Sequence, residues 1–542
     1  MKILSHFKDR FYIKAILESW LALCVAYSFL IFQFIWGNHD WGHIVNKVNL
    51  SSSFFEARYS IHLFQLLFFD GNILPVIMFV LTLLAITVMS VIGLLYLGVS
   101  KIDTRYVLTI FLIGILPYNY IMIYYFYTSF SVYFWAVIGI LALIYAEHSA
   151  KWYKVLGVSV ILFLILGSYP PIISMLLVLF MAKRLCDFID NKQNFRAIVK
   201  DCFVFAVELF IAGMLFKITM FLLEKNNFLN SSMYNLQLVS FNQIFQNVFL
   251  EILKSLKCIF SIKSILGWQY VCFFAFLIFS AVLFVLFKGK NKFIALILLL
   301  GIFIASRFSF IVSSNSYIAE YRVQYWGILG ITIFSFAMLL KMNTLWKKNL
   351  FYVLGVIFVC LFIKTGFDAQ KTMVSIFKSE LRLHNTMFDR ISSHPKFDSS
   401  KSYYSMNFGY PLSWKHFCKE GCENFNNESL SAVVLPFDLI PTLFWDRGYN
   451  PIYLKSGIMG NSLWFVFNRE FLYDRISNKD MYISDSNIDE IRKWLYMDAK
   501  MYPHKDSLYI DDKNIIFVMN GLDFYKYREK FISHLKEKKA PN

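Results

Sequence analysis

Residues 73–99 read ILPVIMFVLTLLAITVMSVIGLLYLGV, an apolar run with no charged side chain. A bilayer's hydrocarbon core takes about 20 helical residues, so this run is long enough to cross it. Lys101 and Arg105 follow directly, and basic residues mark the cytoplasmic end of a span. Apolar runs closed by lysine or arginine recur along the chain. The pattern predicts an all-α polytopic membrane bundle.

Composition points the same way. The chain has 542 residues, 58% of them hydrophobic and 16% charged, whereas a soluble domain carries about 25% charged residues. The net charge of +17 is not a nucleic-acid signal, because the basic residues sit mostly in short loops between apolar runs. No nucleic-acid partner is expected.

Length and spacing predict about eleven spans, near residues 11–36, 73–99, 106–120, 131–146, 155–166, 171–181, 203–223, 268–287, 293–312, 323–340 and 350–363. Lys2, Lys8, Arg10 and Lys14 surround the start of the first, and no small-residue cleavage site follows it. It reads as a retained anchor. With a cytoplasmic N-terminus, an odd number of spans puts the C-terminal tail outside. The expected division is a membrane domain over 1–367 and an extracytoplasmic domain over 368–542. The tail has balanced charge. Its apolar runs at 431–437 and 514–519 read as strands and 488–496 as a helix, giving a small α/β domain. Between spans seven and eight, Ile244, Phe245, Val248, Phe249, Ile252, Leu253 and Leu256 recur at helical spacing, predicting a helix flat on the membrane.

The residues with chemistry gather between the first two spans, in Gly37-Asn38-His39-Asp40-Trp41-Gly42 and Glu56-Ala57-Arg58-Tyr59-Ser60. Asp40 is either a solvated boundary acid or a general base. A sugar hydroxyl has a very high pKa, so its attack on an activated sugar needs a carboxylate to take the proton. His39 either tunes Asp40 or is a surface histidine. Glu56 either shares the work or pairs with Arg58. Arg58, Arg307 and Arg322 all fall on the outer side, with Tyr321 beside the last. Single interfacial arginines often snorkel to water, but three on one side also suit a phosphate, which guanidinium binds bidentately. The aromatic stretch 118–127 reads as an interface belt or as a platform for sugar or lipid. Glu208 is expected to find a partner inside the bundle.

Cys418 and Cys422, in Cys-Lys-Glu-Gly-Cys, form a candidate disulfide in an external tail, or two zinc ligands with His416 nearby. The chain lacks a Gly-rich phosphate loop, His-Glu-x-x-His and Gly-x-Ser-x-Gly. No cofactor is expected, and a divalent metal stays open. A donor delivered at the outer face would then be a lipid-linked group.

Asn38-His39-Asp40-Trp41 followed by Glu56-Ala57-Arg58-Tyr59 resembles the acidic first loop and Gly-Arg-aromatic motif of the type II O-antigen glucosyltransferases. Ala319-Glu320-Tyr321-Arg322-Val323-Gln324-Tyr325 resembles that family's late outer loop, and Leu383-His384-Asn385 through Asp389-Arg390-Ile391 the segment after its last span. His39-Asp40 stands where the family tends to have paired acids, and Ala57 where it has glycine. The resemblance implies a GT-C-like membrane glycosyltransferase in a bacterial inner membrane, with its C-terminal domain in the periplasm. Its donor would be a glucosyl or similar sugar on undecaprenyl phosphate, and its acceptor O-antigen or another surface polysaccharide. A bactoprenol glucosyltransferase and a flippase would supply the donor. Two other classes fit a many-span chain: an O-antigen polymerase, and a polysaccharide transporter or flippase. Transporters place charges at the midplane, whereas the charges here gather at one edge.

Overall fold

The structure, a computed structural model, describes residues 10–33, 58–61, 63–72, 74–116, 119, 126–147, 151–226, 247, 278–279, 282, 291–312, 320–341, 345–398, 404–408, 455–456, 490, 493–494, 498–500, 504–511 and 514–518. The chain divides into two compact units, Met1–Lys371 with Glu423–Ser429, and Thr372–Cys422 with Leu430–Asn542.

The first unit is helical. Its described helices are α1 (Arg10–Ala26), α2 (Ser28–Phe32), α3 (Leu63–Phe69), α4 (Pro75–Tyr96), α5 (Thr104–Gly114), α6 (Phe126–Ala146), α7 (Trp152–Leu166), α8 (Ile172–Ile189), α9 (Phe195–Lys225), α10 (Lys292–Ser306), α11 (Phe308–Val312) and α12 (Glu320–Lys341); α13 (Leu345–Ser392) starts here and continues into the second unit. Among the described residues, four stretches are long and apolar enough to cross a membrane: α4, Ser129–Ala146, α9 and Phe351–Asp368. In hydrocarbon every backbone N–H and C=O must be satisfied within the segment, which selects helices for such runs.

Burial sorts the helices. Central α4 buries Met78, Leu83, Ile86, Met89 and Leu94. By contrast α9 exposes Phe203, Phe210, Met214, Ile218 and Phe221, a stripe that suits lipid rather than water. Central helices approach through small residues. A Cβ on Gly327 would fall 2.0 Å from the Ser306 carbonyl oxygen, and one on Gly330 would fall 2.9 Å from Val178 side-chain carbons. These two glycines let α12 lie against α10 and α8, where packing rather than the hydrophobic effect drives association.

The unit has two distinct ends. At one, Tyr12 donates to the Ser100 carbonyl, Lys183 pairs with Glu147 at 3.0 Å, Arg184 with Asp201 at 3.0 Å, and Lys341 lies 3.9 Å from Asp190. Three helices start at this end under short polar caps: Asp103 accepts from Tyr106 N–H, Asn194 from Ala197 N–H and Asn291 from Ile294 N–H. Each satisfies a donor that the first helical turn leaves open. Lys101 and Arg105, and the basic loop around Lys192, fall here too. We call this the basic end.

Two features differ from the sequence reading. The first apolar run is not one helix: it breaks at Tyr27, between α1 and α2. Gln370 fills the break, accepting from Leu30 N–H at 3.3 Å and donating to the Ala26 carbonyl at 2.9 Å. The last run does not end near residue 363, since α13 continues to Ser392. Hydropathy falls there, but Lys371, Lys378, Glu380, Leu381 and Arg382 are all good helix formers.

In the second unit, β1 (Tyr404–Phe408), β2 (Lys455–Ser456), β3 (Leu508–Ile510) and β4 (Asn514–Val518) form a mixed sheet in the order β2-β1-β4-β3. β1 runs parallel to β2 and β4, and β3 is antiparallel to β4. Ile515, Ile516 and Val518 are buried. Arg390 donates to the His504 carbonyl at 3.0 Å and to Ser507 Oγ at 3.3 Å. The run at 431–437 lies outside the described residues, as do the spans near 268–287 and the proposed surface helix, apart from single residues.

Gly327→Val should lower the thermal midpoint in detergent by the equivalent of about 2 kcal/mol or more. Gly157→Val should change little, because a Cβ there meets nothing within 4 Å. Differential scanning fluorimetry of the two proteins checks the contrast.

Candidate functional site

The end opposite the basic one is organised by the turn between α7 and α8, Gly167-Ser168-Tyr169-Pro170-Pro171. It is closed by hydrogen bonds from Ser168 and Tyr169 N–H to the Ile165 carbonyl, at 3.0 and 2.9 Å. The prolines end one helix and open the next.

Two remote segments fasten to this turn. The first is Arg58-Tyr59-Ser60-Ile61. Ser60 N–H donates to the Gly167 carbonyl at 3.1 Å and Ser60 Oγ donates to the Leu164 carbonyl. Tyr59 OH donates to the Phe163 carbonyl at 3.0 Å, and Trp135 Nε1 donates to the Ser60 carbonyl at 3.1 Å. The Tyr59 ring lies where a side chain on Gly167 would be, 2.1 Å from a Cβ built there. Burial pushes the Tyr59 phenol up, so it stays a neutral donor.

The second segment follows α10. Arg307, only 6% exposed, ends that helix, and Ser309 Oγ lies 2.7 Å from Ser174 Oγ on the first turn of α8. Arg58 and Arg307 are therefore carried by segments fastened to the two helices that this turn joins, α7 and α8, although 249 positions separate them in sequence.

Beside the turn lies a buried aromatic cluster. Tyr169 and Trp326 rings are 6.4 Å apart, Trp326 and Tyr133 5.2 Å. Tyr325 OH donates to Asn119 Oδ1 at 2.6 Å, so the 2.6 Å contact between the Tyr133 and Tyr325 hydroxyls is donated by Tyr133. Asn119 Nδ2 in turn reaches the Ile113 and Gly114 carbonyls at 2.9 and 2.6 Å, and Tyr27 OH reaches Gly114 at 3.0 Å. These are the carbonyls that the end of α5 leaves open. Ser168 Oγ and Trp326 Nε1 are buried with no hydrogen-bond partner among the described residues. A buried polar group in that state costs about 1–3 kcal/mol, which an oxygen-rich ligand reaching it would recover.

Tyr321 and Arg322 stand on the first turn of α12, four residues before Tyr325 and Trp326. The structure thus fastens the segments carrying Arg58 and Arg307 to the two helices flanking the 167–171 turn and sets Arg322 one helical turn from the cluster. His39, Asp40, Glu56, Cys418 and Cys422 lie outside the described residues. Tyr133, Ser168 and Trp326 escape the sequence reading, and Asn119 enters it only as part of the aromatic stretch 118–127. Asn119 and Ser168 interrupt apolar surroundings, and that polarity is the signal for them. Nothing local marks Tyr133 and Trp326 among so many aromatics.

One expectation fails. Glu208 makes no ion pair or hydrogen bond among the described residues, because a pocket opens beside it. Hydropathy shows that an acid lies in a span but not what faces it.

Tyr325→Phe leaves Asn119 Oδ1 and the Tyr133 hydroxyl short of a partner. It should lower stability by about 1–2 kcal/mol in detergent, whereas Phe210→Leu, at a 69% exposed position, should not. Thermal unfolding of both variants checks this. Compared with known proteins, the chain matches no family model, and no similar curated protein or solved structure is found.

Proposed function

We propose that this chain is a membrane glycosyltransferase. It moves a glucosyl or similar sugar from undecaprenyl phosphate to O-antigen or another surface polysaccharide, at the periplasmic face of a bacterial inner membrane. The observation that carries the reading is that the segments bearing Arg58 and Arg307 fasten to the two helices flanking one turn, at the end of the bundle opposite the basic loops. Arginines so held, with Arg322 nearby, suit a phosphate. Lysine and arginine concentrate on the cytoplasmic side of membrane proteins, which makes the arginine-bearing turn the outer one.

In this reading about eleven spans cross the bilayer, the eighth being residues 268–287. Residues 1–367 form the transferase domain and 368–542 a periplasmic domain. Asp40 takes the proton of the acceptor hydroxyl as its oxygen attacks the anomeric carbon. The bond from that carbon to the phosphate oxygen breaks, and undecaprenyl phosphate leaves with the electron pair. Arg58, Arg307 and Arg322 stabilise the charge that develops on the phosphate. His39 and Glu56 support the base, and Tyr321 lies beside the sugar. The aromatic cluster offers rings on which a sugar stacks, and Ser168 and Trp326 offer donors to its oxygens.

Asp40→Asn should reduce transfer roughly 10³-fold with normal expression. Mass analysis of surface polysaccharide from deletion cells carrying either form reads the result. A missing hexose per repeat in the variant supports the proposal, while near-normal modification removes Asp40 from the mechanism. Shortened polymer with intact repeats would instead assign polymerisation. Arg307→Lys keeps the charge but loses the bidentate fork, and should lower transfer about tenfold to a hundredfold while the protein still folds, as size-exclusion chromatography would report.

A further inference from the structure

A second site lies towards the basic end, within the first unit and away from the arginine-bearing turn. Between α6, α8 and α9 the structure forms a pocket of about 300 Å³. Its polar lining is Glu147, Arg184, Lys200, Asp201 and Glu208, and Phe180 and Phe205 stack beside it at 4.5 Å.

Two acids at its mouth already hold cations. Glu147 pairs with Lys183 at 3.0 Å and Asp201 with Arg184 at 3.0 Å. Arg184 also donates to Gln193 Oε1 and lies 5.1 Å over the Phe180 ring. Lys200 is exposed at the rim. From Lys200 to Glu208 the helix rises about 12 Å, so the pocket runs inward from a charged rim to a carboxyl among apolar side chains. Glu208 is 2% exposed and makes no ion pair or hydrogen bond among the described residues. A carboxylate in a span is costly unless a cation meets it. Among the described residues, Lys183 and Arg184 are held by Glu147 and Asp201, and Lys200 stands two helical turns from Glu208 at the exposed rim, so a cation from outside the chain would complement Glu208. A metal ion needs several oxygen ligands, and one carboxylate does not supply them. An ammonium needs one.

We propose that this pocket binds a primary ammonium group with Glu208 as its counter-ion. The ammonium belongs either to a free alkylamine or to a phosphatidylethanolamine headgroup. The site is independent of the glycosyltransferase reading, since it shares no residue with it.

The test uses the purified full-length protein in detergent, titrated with n-butylammonium chloride. Sodium chloride at equal ionic strength and n-butanol serve as controls. The amine should raise the thermal midpoint of the wild type by roughly 3 °C or more at saturation, and the controls should not. Glu208→Gln should abolish the rise. Val204→Phe, which fills the pocket and leaves the acid in place, should abolish it as well and serves if Glu208→Gln does not fold. An absent shift in the wild type, or an equal one in Val204→Phe or Glu208→Gln, overturns the proposal. Vesicles then identify the source. A higher midpoint with phosphatidylethanolamine than with phosphatidylglycerol alone, and no further rise on adding the amine, assigns the headgroup. A rise with the amine regardless of lipid assigns a free amine.

Discussion

The hydrogen bond from Ser60 N–H to the Gly167 carbonyl joins a loop between two apolar runs to the end of a third helix. It depends on a constraint that governs the whole unit: where a helix stops near hydrocarbon, its open carbonyls need donors. Gly167 permits the approach because a larger residue would occupy the Tyr59 ring. The same requirement is met at the end of α5 by Asn119 and Tyr27, and at the break before α2 by Gln370. Each helix end thus recruits a side chain from a distant part of the sequence. These recruitments, more than any loop, fix where the polar residues of that end stand.

The two ends solve the burial of polar groups differently. The basic end uses ions: Lys183 bridges Glu147 and Asp187, and Arg184 joins α8 to α9 through Asp201. Such pairs add little net stability, because desolvation offsets the attraction, but removing one partner strands the other. They specify which helices meet. The opposite end uses neutral chains of hydroxyl and amide, from Tyr133 through Tyr325 to Asn119. The segments that carry Arg58 and Arg307 fasten at this same end.

Much of the helical architecture was legible in the sequence. Charge-free runs such as residues 73–99 mark helices because an exposed backbone has no alternative in hydrocarbon. The interruptions were not. Tyr27 breaks α1 from α2 in a stretch whose hydropathy does not change, since the break depends on Gln370, 343 positions away. The extension of α13 to Ser392 was hidden for the opposite reason: its residues turn polar while still favouring a helix. At the candidate site, the arginines could be picked out one by one, because charge beside an apolar run is conspicuous. The fastening of their segments beside one turn could not, since nothing in the sequence signals that Ser60 bonds Gly167 or that Ser309 meets Ser174. Glu208 shows the same limit in reverse: an acid in a span invites a partner, and periodicity cannot reveal a pocket in its place.

The way the arginines are held bears on what they can do. Arg58 is positioned through backbone bonds of its neighbours Tyr59 and Ser60, and Arg307 through the end of α10 and the Ser174–Ser309 contact. A phosphate arriving at this turn would meet guanidinium groups whose backbones are already fixed, with little reorganisation left to do when charge develops. That is the condition under which electrostatic stabilisation lowers a barrier most effectively. It also accounts for why the segment Arg58-Tyr59-Ser60 spends three hydrogen bonds of its own on the adjoining helix end. Loosening that anchor would change the arginine's position without touching its chemistry.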